Sequence, residues 1–396
     1  MKDGSMQQGR KPDWLKVRIP AGENWRQVSR LLAARGLATV CDSAKCPNKA
    51  ECWGASTATF MVLGSVCTRA CRFCAVSHAA AGESLRAEEP RQLAEAVAEL
   101  SLKYAVVTSV DRDDLGDRGA AHFGECVRAI KSRNPGVRVE VLIPDYREGE
   151  IELILASRPD VVAHNLETVR RLQGVRDRRA SYDASLRTLR LAASAGASAG
   201  SRAPVVKSSL LLGLGESREE VFAAMDDLVA AGCTSLVMGQ YLRPTSAQIP
   251  VASYLSPETF AEYAAEARSR GFVSVVASPL ARTSYHARAS FEEGKVEKRI
   301  DYKVPGGKLI RVAVEIDSGL VRRVKVAGDF FAHPENLFEE AEASLVALPP
   351  ERLPAAAAAA FSREGLVIFG ASASDIAEAL GRAVGLGAAE GSGGSL

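Results

Sequence analysis

Between positions 41 and 74 the chain places six of its eight cysteines. They form two triplets, Cys41/Cys46/Cys52 and Cys67/Cys71/Cys74, with C-x4-C-x5-C and C-x3-C-x2-C spacing. An apolar run, 57–64, separates them and reads as a buried strand. Six thiols so close together act as ligands to a cation, and the ligand count narrows the choice. A [4Fe–4S] cube is normally held by four thiolates in tight local spacing. Each triplet supplies three, so the reading is two iron–sulfur clusters, each with one iron whose fourth position something else fills. Such an open iron turns an electron carrier into a catalyst. A structural zinc site would need four ligands and favours C-x2-C pairs, with His78 as the fourth ligand for the second triplet. Unrelated buried cysteines fit worst, because six in so short a stretch is far above chance.

The length of 396 residues implies two or three domains, and the apolar and charged shares of 47% and 25% are ordinary for a globular chain. A formal net charge of +2 argues against a nucleic-acid protein, which needs many phosphate-neutralising cations. The opening MKDGSMQQGRKPDW has no apolar core of the kind a secretory signal carries, and no apolar stretch is long enough to span a bilayer. Neither nucleic acid nor membrane is expected as a partner, and a cytoplasmic location follows. In a reducing compartment clustered cysteines serve as metal ligands or catalytic thiols rather than disulfides.

A helix is expected over 25–34, ended by Gly36 in a left-handed C-cap. From 57 to 242 short apolar runs alternate with helical ones. Strands are expected at 57–64, 104–110, 137–143, 161–164, 205–212 and 235–242, with helices at 90–102, 120–132, 184–193 and 218–231. Alternation of this kind implies βαβ units and a parallel sheet. The fold class is therefore α/β: a partial (β/α)6 TIM-like barrel with an N-terminal cluster-binding extension, plus a small α+β C-terminal domain. Periodicity alone fits a doubly wound open sheet equally well. In a barrel, polar residues at the C-terminal strand ends build the site. Candidates there are Thr108, Ser109, Asp111, Asn165, Glu167 and Lys207. The bland reading makes the Asp111/Asp113/Asp114 run a solvated loop and Lys207 an ordinary strand residue. Cys126 and Cys233 read as small core residues.

The segment Cys67-Thr68-Arg69-Ala70-Cys71-Arg72-Phe73-Cys74 resembles the radical S-adenosylmethionine enzymes. The first triplet with Pro47-Asn48 and Glu51-Cys52-Trp53 narrows the resemblance to the lipoyl synthase family. Similar stretches continue through 108–115, 164–169, 176–182, 213–216, 239–244 and 282–285, so the likeness covers roughly residues 12–289. It implies that Cys67, Cys71 and Cys74 hold the cluster whose open iron binds S-adenosylmethionine, which on one-electron reduction yields a 5′-deoxyadenosyl radical. It implies that Cys41, Cys46 and Cys52 hold an auxiliary [4Fe–4S] cluster that is consumed as sulfur donor. The substrate would be an octanoyl chain on a lysine of a carrier, such as an E2 lipoyl domain or the glycine-cleavage H protein, sulfurated at C6 and C8. A cofactor radical suits an unactivated C–H bond, which resists acid–base chemistry. The electron donor would be a ferredoxin or flavodoxin. The family's Arg-Ser-Ser-Tyr motif corresponds to Arg282-Thr283-Ser284-Tyr285, so Ser284 is the expected fourth ligand, with Thr283 as the other hydroxyl. Without the resemblance, Ser284 reads as a turn cap. Gly213 and Gly215 match adenine-side glycines, and Tyr241 and Arg243 are candidate substrate contacts; a surface salt bridge is the plainer role for Arg243. Three motifs depart from the family pattern: Ala277-Ser278-Pro279 stands for Ser-Gly-Pro, Gln248 for histidine, and Thr283 for serine.

The expected domains are 1–56 with the auxiliary motif, 57–289 as the barrel, 290–385 as an α+β unit and 386–396 as a disordered tail. In the third, a hairpin over 309–316 and 320–327 turns at Asp317-Ser318-Gly319, an acidic helix covers 335–345, and a last helix covers 374–384. The alanine run 355–360 reads as helix or linker. Val296-Glu297-Lys298-Arg299, Pro305-Gly306-Gly307-Lys308 and Gly328-Asp329-Phe330-Phe331 resemble the accessory domain of lipoate–protein ligases, which implies a role beside a separate ligase or in carrier docking. Two other functions fit parts of the pattern: a methylthiotransferase, whose auxiliary cysteines lie far apart in an N-terminal domain, and a non-catalytic iron–sulfur scaffold.

Overall fold

Short β-branched runs alternate with amphipathic helices between residues 59 and 278, and each run becomes a strand of one sheet. The computed structural model describes residues 12–16, 23–54, 59–198, 203–285, 287–288, 291, 295–305, 307–317, 320–346 and 348–385. The chain divides into two compact units, Met1–Ser290 and Phe291–Leu396.

In the first unit the strands are β1 (Ala38–Thr39), β2 (Thr59–Val62), β3 (Tyr104–Ser109), β4 (Arg138–Leu142), β5 (Val161–Ala163), β6 (Val205–Leu212), β7 (Ser235–Gln240) and β8 (Ser274–Ser278). They lie in the sheet in chain order, β1 to β8, with β2 through β8 all parallel. A doubly wound sheet reverses its order at a switch point. This one never does, so it is a partial barrel. Six of the strands stand where the sequence places them; positions 57–58 of the first lie outside the described residues. The apolar segment at 272–277 adds a seventh parallel strand, β8, and β1 pairs antiparallel with β2 at the other edge.

Each parallel step crosses through a helix. Between β2 and β5 lie α4 (Glu89–Glu99), α5 (Ala120–Arg133) and α6 (Glu148–Leu155). Between β5 and β8 lie α7 (Tyr182–Ser198), α8 (Arg218–Ala230) and α9 (Pro257–Ser269). Local chemistry sets their starts. Ser217 caps α8 reciprocally with Glu220, and Ser256 caps α9 ahead of Pro257. Preceding them are α1 (Glu23–Arg35), ended at Gly36 with φ +58°, and two short helices, α2 (Val40–Ser43) and α3 (Lys49–Gly54), which carry Cys41 and Cys52 of the first triplet. The central strands are buried on both faces, β7 at every position.

The second unit has its own core, with Val312, Val314, Val324, Phe338, Leu353 and Leu380 at its centre. Strands β9 (Lys295–Lys303), β10 (Leu309–Asp317) and β11 (Leu320–Gly328) form an antiparallel sheet, and β12 (Phe331–His333) pairs with β13 (Val367–Phe369). The expected hairpin is β10–β11, with turn positions 318–319 outside the described residues. Strand β9, charged at alternate positions, is an addition to it. Helices α10 (Glu335–Ser344), α11 (Leu353–Phe361) and α12 (Ala373–Ala383) complete the unit, so the alanine run is helix. Buried Glu342 accepts the Val326 N–H and the Lys325 ammonium, both at 2.7 Å, which ties α10 to β11. The expected disordered tail, 386–396, lies outside the described residues. No helix among the described residues is long and apolar enough to cross a membrane.

One glycine determines how the chain closes after β8. A Cβ on Gly239 of β7 would stand 2.0 Å from the Ala281 carbonyl oxygen. The segment after β8 therefore lies against β7 at a distance that only glycine allows. Gly239→Ala should lower stability by about 1–3 kcal/mol, the usual cost of overpacking. Gly149→Ala, in α6 with open space around the position, should raise it by about 0.5–1 kcal/mol. Denaturant titration of both variants checks the opposite signs.

Candidate active site

The second cysteine triplet occupies the loop that leaves β2, and its backbone is fastened from both ends. The Cys67 N–H donates to the Ser77 carbonyl at 2.8 Å, and the Ala79 N–H returns to the Cys67 carbonyl at 3.0 Å. The Cys74 N–H closes a turn onto the Cys71 carbonyl at 3.1 Å. Each sulfur accepts a backbone N–H: Arg69 to Cys67 at 3.4 Å, Asp177 to Cys71 at 3.3 Å and Val76 to Cys74 at 3.5 Å. Burial pushes the Cys67 and Cys71 thiols up to about 12, and raises Cys74 as well. Three half-buried thiols that repel one another's ionisation need a cation to become thiolates. This donor set fits an iron–sulfur cluster.

Arg69, between the first two of these cysteines, points inward. Its Nε and Nη2 donate to Asp113 at 2.8 and 2.9 Å, and its Nη1 reaches Asp145 at 2.6 Å and Asp111 at 3.2 Å. The Arg69 side chain is only 4% exposed. The Thr68 hydroxyl adds bonds to the Asp111 carbonyl and to Asp113. From the loop after β5, Asp177 accepts the Ala70 N–H at 3.0 Å, and Arg179 donates to the Thr68 carbonyl. From the loop after β7, the Gln248 amide donates to the Cys74 carbonyl at 3.1 Å while its oxygen accepts from Thr245. The loop thus draws partners from the ends of β3, β4, β5 and β7.

Beside it opens a cavity of about 230 Å³ at the C-terminal strand ends. Cys67, Cys71, Cys74, Thr108, Ser109, Asp111, Asn165 and Glu167, all expected from the sequence, line it, together with His78, His164 and Arg176. Burial raises both the Asp111 and Glu167 carboxyls, more than neighbouring Arg69 and Arg176 lower them. Glu167 takes φ +69°, unusual for a non-glycine residue, and its backbone is held by the Ser209 carbonyl and the Leu211 N–H at 3.1 and 2.7 Å.

Of the first triplet, Cys41 lies on α2, Cys52 on α3 and Cys46 in the turn between them. Thr39 caps α2, and the Cys46 N–H reaches back to the Cys41 carbonyl at 3.1 Å through Lys45, which takes φ +51°. Trp53 anchors α3 in the core. The segment after β8 grips this extension at two points: Asn48 donates to the Leu280 carbonyl at 2.7 Å, and the Tyr285 hydroxyl donates to Glu51 at 3.0 Å. Between them sits Arg282, whose charge draws the Cys46 thiol downward against the larger upward push of burial. The Thr283 hydroxyl donates to Asn165 at 3.0 Å. Among the described residues the Ser284 hydroxyl has no hydrogen-bond partner.

Other expected contacts stand elsewhere. Lys207 lies near the start of β6 and forms a buried ion pair with Glu140 at 2.9 Å, which also accepts the Tyr104 hydroxyl at 2.6 Å. It does not line the cavity. Gly213 and Gly215 take φ +93° and +106°, but a Cβ on Gly213 would strike Gln240 and the Ser253 carbonyl, so internal packing already requires glycine there. Tyr241 donates to the Ile249 carbonyl at 2.8 Å and Arg243 to the Gln248 carbonyl at 2.6 Å; both shape the loop that reaches Cys74. Cys126 and Cys233 are fully buried core residues. Cys126 lies beside the Glu89–His122 pair, whose carboxylate also accepts the Leu63 N–H. Sequence reasoning missed Arg69, Asp145, Asn48 and Gln248 as supports of the site.

The radical SAM superfamily model matches residues 61–228, and a model of the N-terminal domain of lipoyl synthase matches residues 1–46. The lipoyl synthase of Methanocella arvoryzae is 50% identical over 280 residues, covering 70% of this chain and 93% of the relative. That of Anaeromyxobacter dehalogenans is 49% identical over 295 residues, 73% of this chain and 98% of the relative. A solved structure of a bi-partite lipoate protein ligase and its E2 lipoyl domain from Thermoplasma acidophilum is 24% identical. It aligns with 22% of this chain and 96% of that chain at a TM-score of 0.20.

His164 gives the site a pH signature. Its ring accepts and donates within hydrogen-bond distance of the Ile143 carbonyl (2.9 Å) and the Ser185 hydroxyl (2.8 Å), and burial, with Arg176 beside it, pushes it down to about 4. The folded ring stays neutral while the unfolded one takes a proton below about pH 6.5. Stability is therefore complete above that pH and falls as pH drops towards 4, by roughly 3 kcal/mol at about 1.4 kcal/mol per unit. His164→Asn should flatten this part of the profile, read as urea midpoints between pH 4 and 7.

Proposed function

The chain belongs to the lipoyl synthase family, and from that premise we propose how its own residues divide the work of putting two sulfur atoms into an octanoyl chain. It is a radical S-adenosylmethionine sulfurtransferase with two [4Fe–4S] clusters, and a lipoyl-carrier protein is its substrate. When bound, S-adenosylmethionine and its cluster supply a radical able to take hydrogen from an unactivated C–H bond, and the second cluster supplies sulfur.

Cys67, Cys71 and Cys74 hold the first of these clusters, and the cavity beside them receives S-adenosylmethionine. Asp111 and Glu167, half-buried carboxyls whose ionisation desolvation disfavours, would be drawn back to the charged form by the cofactor's ammonium group and would then serve as its countercharge. Thr108, Ser109 and Asn165 orient it from the strand ends. Cys41, Cys46 and Cys52 hold the sulfur-donating cluster, with Ser284 as its fourth ligand. The hydroxyls of Thr283 and Ser284 support this choice: Thr283 is committed to Asn165, while Ser284 carries no competing bond among the described residues. An alkoxide binds iron less firmly than a thiolate, which suits a ligand that must leave. The observation that carries this reading is the segment 280–285, which touches the first triplet's helices at both ends and the cofactor cavity's Asn165 in its middle.

A one-electron donor of the ferredoxin or flavodoxin type, an E2 lipoyl domain or glycine-cleavage H protein as carrier, and a cytoplasmic setting complete the proposal. The second unit, through its accessory-domain-like segments, docks the carrier or assists a separate lipoate–protein ligase. Removing residues 291–396 should reduce conversion of octanoylated carrier severalfold while a short octanoyl-lysine peptide reacts as before. Equal rates on the intact carrier would remove this role.

Anaerobic reconstitution should load about eight irons per chain. Mass spectrometry of an octanoyl-lysine peptide incubated with reductant and S-adenosylmethionine should then show the gain of two sulfurs. Ser284→Ala should lower that gain by about tenfold or more, while S-adenosylmethionine cleavage continues. A zinc-loaded or single-cluster protein would overturn the assignment of the first triplet.

A further inference from the structure

We propose that Thr283 is a positioning residue that couples the two cluster sites, through a relay from its hydroxyl to Asn165 and on to Glu167. The inference rests on the reading of the cavity as the S-adenosylmethionine site and of Ser284 as the movable ligand. The Thr283 hydroxyl donates to Asn165 Oδ1 at 3.0 Å, and Asn165 Nδ2 donates to Glu167 Oε1 at 3.2 Å. Asn165 and Glu167 face the cavity beside Cys67, Cys71 and Cys74, whereas Thr283 is 8% exposed and adjoins Ser284 in sequence. The relay therefore starts one residue from the proposed ligand of the sacrificial cluster and ends at the wall of the cofactor pocket.

Its surroundings leave each member little freedom. Glu167 is held in its left-handed conformation by β6 through two backbone bonds, so its main chain is fixed and only its side-chain torsions can follow Asn165. The segment that carries Thr283 is pinned at Leu280 by Asn48 and at Tyr285 by Glu51, and Gly239 admits its backbone to within contact of β7. Arg282, half-buried next to Thr283, lies in the fields of both Cys46 and Glu167, so it is drawn toward both sites. A displacement of Ser284 is transmitted to Asn165 because the Thr283 hydroxyl must either move with it or abandon its partner. The amide left behind would lose its bond, and its hold on the Glu167 carboxylate would loosen. Cofactor binding and the state of the auxiliary ligand thus report to each other. The physical benefit is coupling: cofactor cleavage proceeds from a pocket whose wall is ordered only while the sulfur-donating side is in place.

The test uses the full chain loaded with both clusters. Thr283→Val keeps the shape and removes the hydroxyl; Thr283→Ser keeps the hydroxyl and removes the methyl; Thr283→Ala repeats the first change without the valine's branch. Two quantities are read: S-adenosylmethionine affinity by equilibrium dialysis, and the ratio of S-adenosylmethionine cleaved to C–S bonds formed on an octanoyl-lysine peptide. In Thr283→Val and Thr283→Ala, affinity should fall by about fivefold, as expected for the loss of one part-buried hydrogen bond, and the ratio should rise. Thr283→Ser should match the parent in both. Asn165→Ala combined with Thr283→Val should do no more damage than Asn165→Ala alone, since both cut one relay. Parent-like affinity and ratio in Thr283→Val, or failure of Thr283→Ser to restore them, would overturn the relay. If the parent itself forms no C–S bonds, the functional reading fails instead, and the affinity series still decides whether the relay exists.

Discussion

The buried guanidinium of Arg69 is the interaction on which the cluster loop depends. A loop of irregular backbone between Leu63 and Ala79 loses about 1–2 kcal/mol of conformational entropy per residue when it is fixed. Short-range turns such as Cys71–Cys74 do not offset that alone. Arg69 brings one cation under the loop and meets Asp113 and Asp111 from the end of β3 and Asp145 from the end of β4. The geometry is tight enough that Asp113 is held below the ordinary carboxylate range despite its burial. An ion cluster of this kind adds little net stability over apolar packing, but it collapses when one member is lost, because the remaining charges are buried without partners. It therefore specifies a position more than it strengthens the fold. Position is what three thiols must share if one cluster is to sit between them.

The same logic extends across the unit. Asn48 and Leu280 are 232 residues apart in the chain, yet a single 2.7 Å bond links the first triplet to the segment after β8. That link is available because the sheet runs in chain order and curls, so its last strand returns toward the N-terminal extension. The partial barrel works here as a spacer. Its interior is filled by groups with no chemical task, such as Lys207, Glu140 and Tyr104, and its rim carries the groups that have one.

The sequence made the cysteine triplets and most of the strands legible for a simple reason. Ligand spacing is local, and β-branched runs bounded by helices need no tertiary information to be recognised. What escaped depended on direction. Strand β6 is buried at nearly every position, so its pattern does not reveal that Lys207 sits near the wrong end to meet a ligand. Gly213 looks like a ligand-facing glycine, but the atoms that forbid a side chain there belong to Gln240 and Ser253. Tyr241 and Arg243 resemble substrate contacts and are spent on carbonyls of their own loop. Arg69 lay in full view inside the motif, but only the fold shows which carboxylates converge on it. Strand β9 was hidden because its alternating charges resemble a solvated linker until β10 gives it a partner.

Two of the three departures from the family pattern acquire a common meaning in this frame, and the structure explains nothing of the third, at Ala277-Ser278. Gln248 replaces a histidine, and its amide spans Thr245 and the Cys74 carbonyl, a task that needs one donor and one acceptor about as far apart as imidazole provides. Thr283 replaces a serine and retains the hydroxyl that reaches Asn165, while its added methyl lies in a buried site. Both substitutions fall on tethers rather than on ligands. A tether is constrained by the hydrogen-bond roles it fills and the space it occupies, so another residue with the same roles can replace it. A ligand to iron is constrained by the electronic character of its donor atom, which a change of residue type alters outright. In the proposed assignment the cysteines and Ser284 fall under the second constraint, and the residues around them under the first.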